Sequence, residues 1–315
     1  RRTIKEGYHM DKIFDLAIIG SGPAGMTAAI YAKRAGLDVI MFEGSAPGGK
    51  LVKTFEIDNW PGEPNISGVS LAMKMYEHTT NLEVYTEYTK VISIKDGRTK
   101  ELHTEDGRVF HTKALILASG TIENMMNIPG EEAMVGKGVS FCAVCDGAFY
   151  KEREVVVIGG GNSALEEAVY LTQFAKQVTI IIRRDVFRGD VQAQERALAN
   201  PKIKVIRHHI PVEVIHDIKV TGLKIRSVVD GSEQVVPCDG VFPYIGATPS
   251  TQCILDLGIT DKEGYMIVNE KMETKIPGIY GAGDVVVKPL RQIVTAVNDG
   301  AIAAQTAFHY IKELE

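Results

Sequence analysis

Cysteine is scarce in this chain, tryptophan occurs once, and long apolar runs are missing, and each shortage excludes something. Four cysteines among 315 residues cannot staple a small extracellular scaffold, so stability must come from packed cores. No apolar stretch approaches the ~20 residues that a bilayer-spanning helix needs. Basic excess is lacking too: the formal net charge is −5, which gives no electrostatic footing for nucleic acid or an anionic membrane. A hydrophobic content of 45% with 24% charged residues is that of a globular protein, and the length accommodates two domains of roughly 150 residues. A signal-peptide pattern is absent, which with so few thiols leads to the expectation of a cytoplasmic protein. Arg1 to His9, charged and without periodicity, read as an expression-vector scar ahead of Met10.

What the chain does have is glycine in two informative places. Phe14 to Ile19 is a short apolar strand, Gly20-Ser21-Gly22-Pro23-Ala24-Gly25 turns it into a helix reaching about Gly36, and Leu37 to Phe42 is the next strand. The layout recurs in Val155 to Ile158, then Gly159-Gly160-Gly161-Asn162-Ser163-Ala164, then a helix from Leu165 to Phe174 and a strand from Val178 to Ile182. Two such units, far apart in the chain, predict an α/β protein with two Rossmann-like, doubly wound nucleotide-binding domains. Thr112 to Leu117 adds a strand ending in Ala118-Ser119-Gly120, and Ile122 to Gly130 has the composition of a crossing between domains. A strand and turn at Gly240 to Gly246 close the middle segment. Ile279-Tyr280 then leads into Gly281-Ala282-Gly283-Asp284, and Gln292 to Leu314 is helical in pattern without a fingerprint of its own. The expectation is therefore a discontinuous outer domain, 10–123 and 249–315, with a second domain, 124–248, inserted into it.

In the first fingerprint Gly20 permits the tight turn, Gly22 lets a pyrophosphate approach the backbone, and Gly25 allows close helix–strand packing. Glu43 follows at the end of the next strand, where its carboxylate can accept from ribose hydroxyls. The bland alternative is a glycine-rich turn beside a surface glutamate. In the second unit the corresponding position is Arg183, with Arg184 and Arg188 nearby. A carboxylate there would repel a 2′-phosphate, whereas a guanidinium fork grips it, so the first site suits a free ribose as in FAD and the second NADPH. A solvated basic helix start is the competing reading. Between the fingerprints lies Cys142-Ala143-Val144-Cys145-Asp146-Gly147. Two thiols at this spacing can close an exchangeable disulfide. They can also form half of a zinc site, but no second Cys pair accompanies them, and the adjacent His208 and His209 would face opposite ways in a strand. Asp146 is placed to pass a proton to a departing thiolate, with a turn-forming Asp-Gly as the alternative. Cys238 and Cys253 read as inert thiols, and Trp60 as packing at a turn.

Taken together these residues resemble the low-molecular-weight, bacterial-type thioredoxin reductases. The resemblance runs from Asp11 onward and includes Gly48-Gly49-Lys50-Leu51, Asn59-Trp60-Pro61-Gly62, Gly281 to Asp284, and Arg291 to Ala296 followed by Asp299-Gly300-Ala301. It implies an FAD domain built from both chain ends, an inserted NADPH domain that carries the redox disulfide and swivels, a homodimer, and thioredoxin as the protein substrate. By that likeness FAD would be held by Gly20, Ser21, Gly22, Pro23, Ala24, Phe42, Glu43, Gly44, Gly49, Lys50, Leu51, Asn59, Ala118, Ser119 and Gly120. Gly283, Asp284, Arg291, Gln292 and Ile293 would complete that site towards the ribityl chain and the flavin. NADPH would lie on Gly161, Asn162, Ser163, Glu166, Arg183, Arg184 and Arg188, and Cys142, Cys145 and Asp146 would be catalytic. Three positions depart from the usual pattern: Lys50 stands where glutamine is common, Asn162 where aspartate is, and Ile182 where histidine precedes the arginines. Some relatives take electrons from a donor other than NADPH, and a flavin-dependent redox sensor without sustained turnover is a further alternative.

Overall fold

The computed structural model describes residues 12–54, 56–57 and 59–314, so the segment read as a vector scar lies outside the described residues. The chain gathers into two compact units, one formed by the residues up to Ile122 together with Thr248 onward, the other by Glu123–Ala247.

The first unit is built on a seven-stranded sheet. Its parallel part runs Tyr85–Glu87, Val39–Phe42, Ile13–Ile19, Val109–Leu117, with Ile279–Gly281 alongside the end of the last of these. Strands Lys100–Thr104 and Val91–Lys95 continue antiparallel from the start of Val109–Leu117. The central strands are apolar on both faces because both faces are covered. Leu16, Ile18, Val39, Met41, Ala114 and Ile116 point to helices Pro23–Arg34 and Ile293–Glu313. Ala17, Ile19, Ile40, Phe42, Leu115 and Leu117 point the other way, to Phe110, Ile254 and Val285.

The two covering helices meet through small residues, Ala24, Ala28, Ala29 and Ala32 on one and Ala296, Ala303, Ala304 and Ala307 on the other. Their backbones come close at Gly300, where a Cβ would stand 2.2 Å from the Ala24 carbonyl oxygen. That contact brings the start of Ile293–Glu313 beside the start of Pro23–Arg34.

The second unit has a four-stranded parallel sheet, ordered Ile203–Ile206, Gln177–Ile181, Glu154–Ile158, Gly240–Pro243. Val155, Val157, Ile180 and Phe242 on one face pack under helices Asn162–Leu171 and Val191–Ala199. Val156, Ile158, Ile181 and Val241 on the other are covered by an antiparallel sheet, His209–His216, Val220–Ser227, Glu233–Pro237, through Val214, Leu223 and Ile225. The helix of this unit begins three residues before the sequence pattern suggested, at Asn162, because the glycine turn itself supplies the residue before its first turn. His208 is not in a strand: it takes a left-handed turn, φ 59°, before His209 starts the next one. Among the described residues no helix is long and apolar enough to cross a membrane.

The Gly300 contact is testable. Gly300→Ala pushes a methyl into the Ala24 carbonyl, and overpacking of this kind costs about 1–3 kcal/mol. A thermal melt should show a clearly lower Tm; an unaltered Tm would mean that the helices separate freely there.

Candidate redox and nucleotide-binding sites

In the first unit the glycine turn is closed by backbone contacts. Gly20 has φ +102°, and a Cβ on it would meet the Ala118 carbonyl oxygen at 2.4 Å. Gly25 lies against Gly20, with a would-be Cβ only 1.8 Å from its carbonyl oxygen. Gly22, by contrast, faces open space and precedes a helix whose start no side chain caps. Pro23 opens that helix with its φ already helical and no N–H to satisfy. The amides behind it are thus left for a phosphate.

Glu43, one residue beyond Val39–Phe42, accepts from Ser21 through both its amide, 3.1 Å, and its hydroxyl, 2.5 Å, and from the Ser45 amide at 2.7 Å. Those bonds aim the carboxylate at the turn and leave acceptor capacity for a ribose hydroxyl.

The segments expected for FAD converge around this turn. The Gly48 amide donates to the Ser21 carbonyl at 2.8 Å, and Gly49 sits against Gly22, so that Lys50 is exposed and Leu51 buried beside it. Gly44 backs onto Lys90. Buried Phe42 ends its strand, buried Ala118 directly follows strand Val109–Leu117, and the Ser119 hydroxyl donates to the Ser250 carbonyl at 2.6 Å just ahead of Gly120, φ +67°. A Cβ on Gly283 would be 2.9 Å from Ala24, and the Gly283 amide donates to Asp299 Oδ2 at 3.0 Å. Asp299 also takes a hydrogen bond from the Lys288 ammonium, giving an almost fully buried ion pair.

Burial holds the Asp284 carboxyl above its ordinary range, opposed by the charges of Lys50, Lys288 and Arg291. Arg291 donates to the carbonyls of Asp284, 3.1 Å, and Val286, 3.3 Å, and lies over the Tyr265 ring at 4.2 Å. Gln292 caps the helix that starts at Ile293, and Asn59 Nδ2 donates to its Oε1 at 3.0 Å. Open amides, an acid aimed at the turn and a half-buried hydroxyl acceptor at Asp284 fit a dinucleotide with a free ribose.

The second turn repeats the geometry. Gly159 has φ +135°, and a Cβ there would lie 2.2 Å from the Tyr244 carbonyl oxygen, while Gly161 is open and its helix uncapped. The loop 183–190 folds back onto this turn: the amides of Arg188 and Gly189 donate to the Gly160 carbonyl at 2.6 and 3.0 Å, and the Asp190 amide donates to Asn162 Oδ1 at 2.7 Å. Asn162 therefore ties the loop. Ile182 is buried against Gly160, so the residue ahead of the arginines is an apolar underside of the turn.

The loop's two acids are engaged elsewhere. Asp185 pairs with His208 at 3.4 Å, and Asp190 caps helix Val191–Ala199 by accepting from the Ala193 amide at 2.8 Å. Arg183, Arg184 and Arg188 are exposed, and none of their side chains has a hydrogen-bond or ion-pair partner among the described residues. Ser163 and Glu166 are exposed on the first turn and a half of the helix. Three uncommitted guanidinium groups beside open amides fit a 2′-phosphorylated dinucleotide.

In the same unit Cys142 and Cys145 are joined, S–S 2.05 Å, at the start of the short helix Ala143–Asp146. Ser140 holds the entry, its hydroxyl accepting from the Cys142 amide at 3.1 Å. The Cys145 amide donates to Cys142 Sγ at 3.1 Å. Cys145 is exposed, Cys142 and Asp146 half-buried. His208 and His209 are occupied elsewhere, His209 with the Arg207 carbonyl at 2.7 Å.

Sequence reasoning missed Tyr244. Its hydroxyl accepts from the Ala143 amide at 3.2 Å and its carbonyl is the one closing on Gly159, so one residue braces the disulfide helix and the nucleotide turn. Only its place at the end of strand Gly240–Pro243 hinted at this. Glu167 was missed too. It is half-buried as a residue, yet its Oε2 is enclosed without a hydrogen-bond partner, and burial next to Glu166 pushes its carboxyl up to about 8. Burial also raises Cys238 to about 12 and Cys253 to about 11, so neither forms a thiolate near neutral pH.

Glu167 yields a signed pH effect. A carboxyl raised in the folded state binds its proton more tightly there than in the unfolded chain, so its contribution to stability is complete at acid pH. That contribution is lost as pH rises towards about 8. Glu167→Gln should therefore match the parent in Tm near pH 4 and exceed it increasingly up to pH 8. A difference that does not vary with pH would contradict the assignment.

Comparison with known proteins agrees with this geometry. Residues 14–300 match the sequence profile of the pyridine nucleotide-disulphide oxidoreductases. A thioredoxin reductase of Listeria monocytogenes is 46% identical over 306 residues, covering 97% of this chain and 96% of that one. One of Bacillus subtilis is 44% identical over 307 residues, with 97% of each covered. The crystal structure of Lactococcus lactis thioredoxin reductase superposes with a TM-score of 0.94 at 45% identity, covering 95% of this chain and 99% of that one. The chain belongs to the pyridine nucleotide-disulphide oxidoreductase family and, within it, to the thioredoxin reductases of the low-molecular-weight bacterial type.

Proposed function

We propose that this chain is an NADPH-dependent thioredoxin-disulfide reductase, working in the cytoplasm as a homodimer. The observation that carries the reading is the Cys142–Cys145 disulfide, set in the same unit as a dinucleotide turn flanked by three unpaired arginines. FAD, when bound at the first turn, supplies the change from two-electron hydride chemistry to disulfide reduction.

The residues divide the work. The open Gly22 approach and the unspent first amides of helix Pro23–Arg34 would receive the FAD pyrophosphate, Glu43 would accept from its ribose and Asp284 from a hydroxyl further along, while Arg291, Gln292 and Ile293 would end the site at a helix start. Gly161 to Ser163 and Glu166 take the NADPH backbone, and Arg183, Arg184 and Arg188 its 2′-phosphate. Two electrons break the Cys142–Cys145 bond. The Cys145 amide stabilises a Cys142 thiolate, and Asp146 passes a proton to the other sulfur. Cys142 then attacks a sulfur of oxidised thioredoxin, forming a mixed disulfide and releasing one thioredoxin thiolate. Cys145 attacks Cys142 in turn, restoring the original bond and freeing reduced thioredoxin.

A landing place for a protein substrate adjoins the helix. A cavity of about 430 Å³ is bordered by Asp146, Phe149, Tyr150, Lys137, Arg153 and Lys219, and Phe149 is 80% exposed. The exposed ring offers a partner an apolar contact, and the charges about it are mixed, Lys137 and Lys219 beside Asp146 and an Arg153–Asp239 pair at 3.4 Å. On the first unit, exposed Val69 and Met73 share a face of helix Gly68–Asn81, which supports association of two copies.

Serine substitution of the cysteines separates this reading from its rivals. The purified protein should be yellow, and NADPH should bleach it, with colour returning on addition of oxidised thioredoxin. Cys142→Ser and Cys145→Ser should still bleach with NADPH but lose thioredoxin turnover by about three orders of magnitude or more. Turnover retained in either variant would refute the exchange mechanism, and stoichiometric bleaching of the parent without turnover would identify a sensor.

A further inference from the structure

We propose that Arg207 is a positioning residue for 2′-phosphate specificity, holding the loop 183–190 in the shape that presents its arginines. The inference deepens the NADPH reading and rests on it for the identity of what the arginines bind.

The loop is anchored unevenly. Its second half is tied to the glycine turn by the amides of Arg188, Gly189 and Asp190. Before it, the Ile182 amide and carbonyl are bonded to Ile206 and His209 of the neighbouring strands. Between these anchors the backbone from Arg183 to Phe187 makes one hydrogen bond among the described residues: Arg207 Nε donates to the Asp185 carbonyl at 2.8 Å. The same guanidinium lies over the buried Phe187 ring, 5.8 Å from its centroid, and that ring packs beneath Gly160. One planar group thus spans the loop from the residue after Arg184 to the residue before Arg188.

Its placement follows from the sheet. Arg207 comes directly after strand Ile203–Ile206, the parallel neighbour of Gln177–Ile181, so it emerges level with the start of the loop. The left-handed turn at His208 then sends the chain into another strand and sets the imidazole against Asp185. His208 draws the loop's acid aside, while Arg207 fixes its carbonyl. An ammonium could supply the charge of Arg207 but neither the flat face over Phe187 nor the fixed Nε–H.

A phosphate that must meet three arginines at once gains from a loop already in shape, because ordering it would otherwise oppose binding. A dinucleotide without that phosphate makes no use of the loop. Arg207 should therefore act on the preference between the two coenzymes.

Calorimetric titration of the intact protein with 2′,5′-ADP and with 5′-AMP tests this apart from catalysis. The parent should prefer 2′,5′-ADP. Arg207→Met should bind 2′,5′-ADP about tenfold more weakly, the effect of losing one hydrogen bond to a charged group, with 5′-AMP affinity conserved. In thioredoxin assays the loss should fall on KM for NADPH rather than on kcat, and KM for NADH should hold. Arg207→Lys should recover little of it. Equal weakening of both ligands, no weakening, or full rescue by lysine would each overturn the proposal, the last by reducing Arg207 to a bulk charge. A parent without preference for 2′,5′-ADP would instead remove the NADPH reading beneath it.

Discussion

Both units depend on the same close approach of a glycine to a carbonyl. Gly20 sits against the carbonyl of Ala118 and Gly159 against that of Tyr244, at distances no Cβ could tolerate. In each case the carbonyl follows the strand that neighbours the fingerprint strand in a parallel sheet. The chain can therefore turn sharply at the carboxyl end of the sheet and start a helix with its first amides unspent. Those amides are the reason a pyrophosphate has somewhere to go. The remaining glycines of each turn serve the same end, Gly25 by letting the helix lie on the turn and Gly22 and Gly161 by leaving the approach open.

Electrostatics then distinguishes two turns with one geometry. At the first, an acid is aimed at the turn by Ser21 and Ser45, and a second carboxyl, Asp284, lies half-buried near the charges of Lys50, Lys288 and Arg291. At the second, every acid on the loop is drawn off to a histidine or a helix start, and the cations are left without partners. An arginine-rich loop that satisfied itself internally would have little left to offer a phosphate. Tyr244 adds the link to redox chemistry, since a single residue after one strand braces both the second turn and the helix that carries the disulfide.

Much of this was legible beforehand, for identifiable reasons. The central strands are short apolar runs because both faces of their sheets are covered, and such runs stand out without an alignment. The fingerprints stand out because a tight turn, an open approach and close packing each demand glycine. The antiparallel sheet His209–His216, Val220–Ser227, Glu233–Pro237 was not legible, since its alternation is weak and a proline lies within its first strand. His208, though not His209, was misread as strand for a related reason: nothing in the letters announces a left-handed turn at a residue with a full side chain.

The α/β class, the two glycine turns, the paired thiols and the sign of charge at the strand end after each turn could be read from the letters. All of these rest on local chemistry, on what one residue type permits within a few positions of its own chain. Tertiary structure alone decided which acids are spent and which cations are left, that Asn162 ties a loop, that Ile182 is an underside, and that Arg207 and Tyr244 act as braces. Those roles arise between residues distant in the chain, brought into register by sheet pairing and packing, and no short-range pattern encodes them.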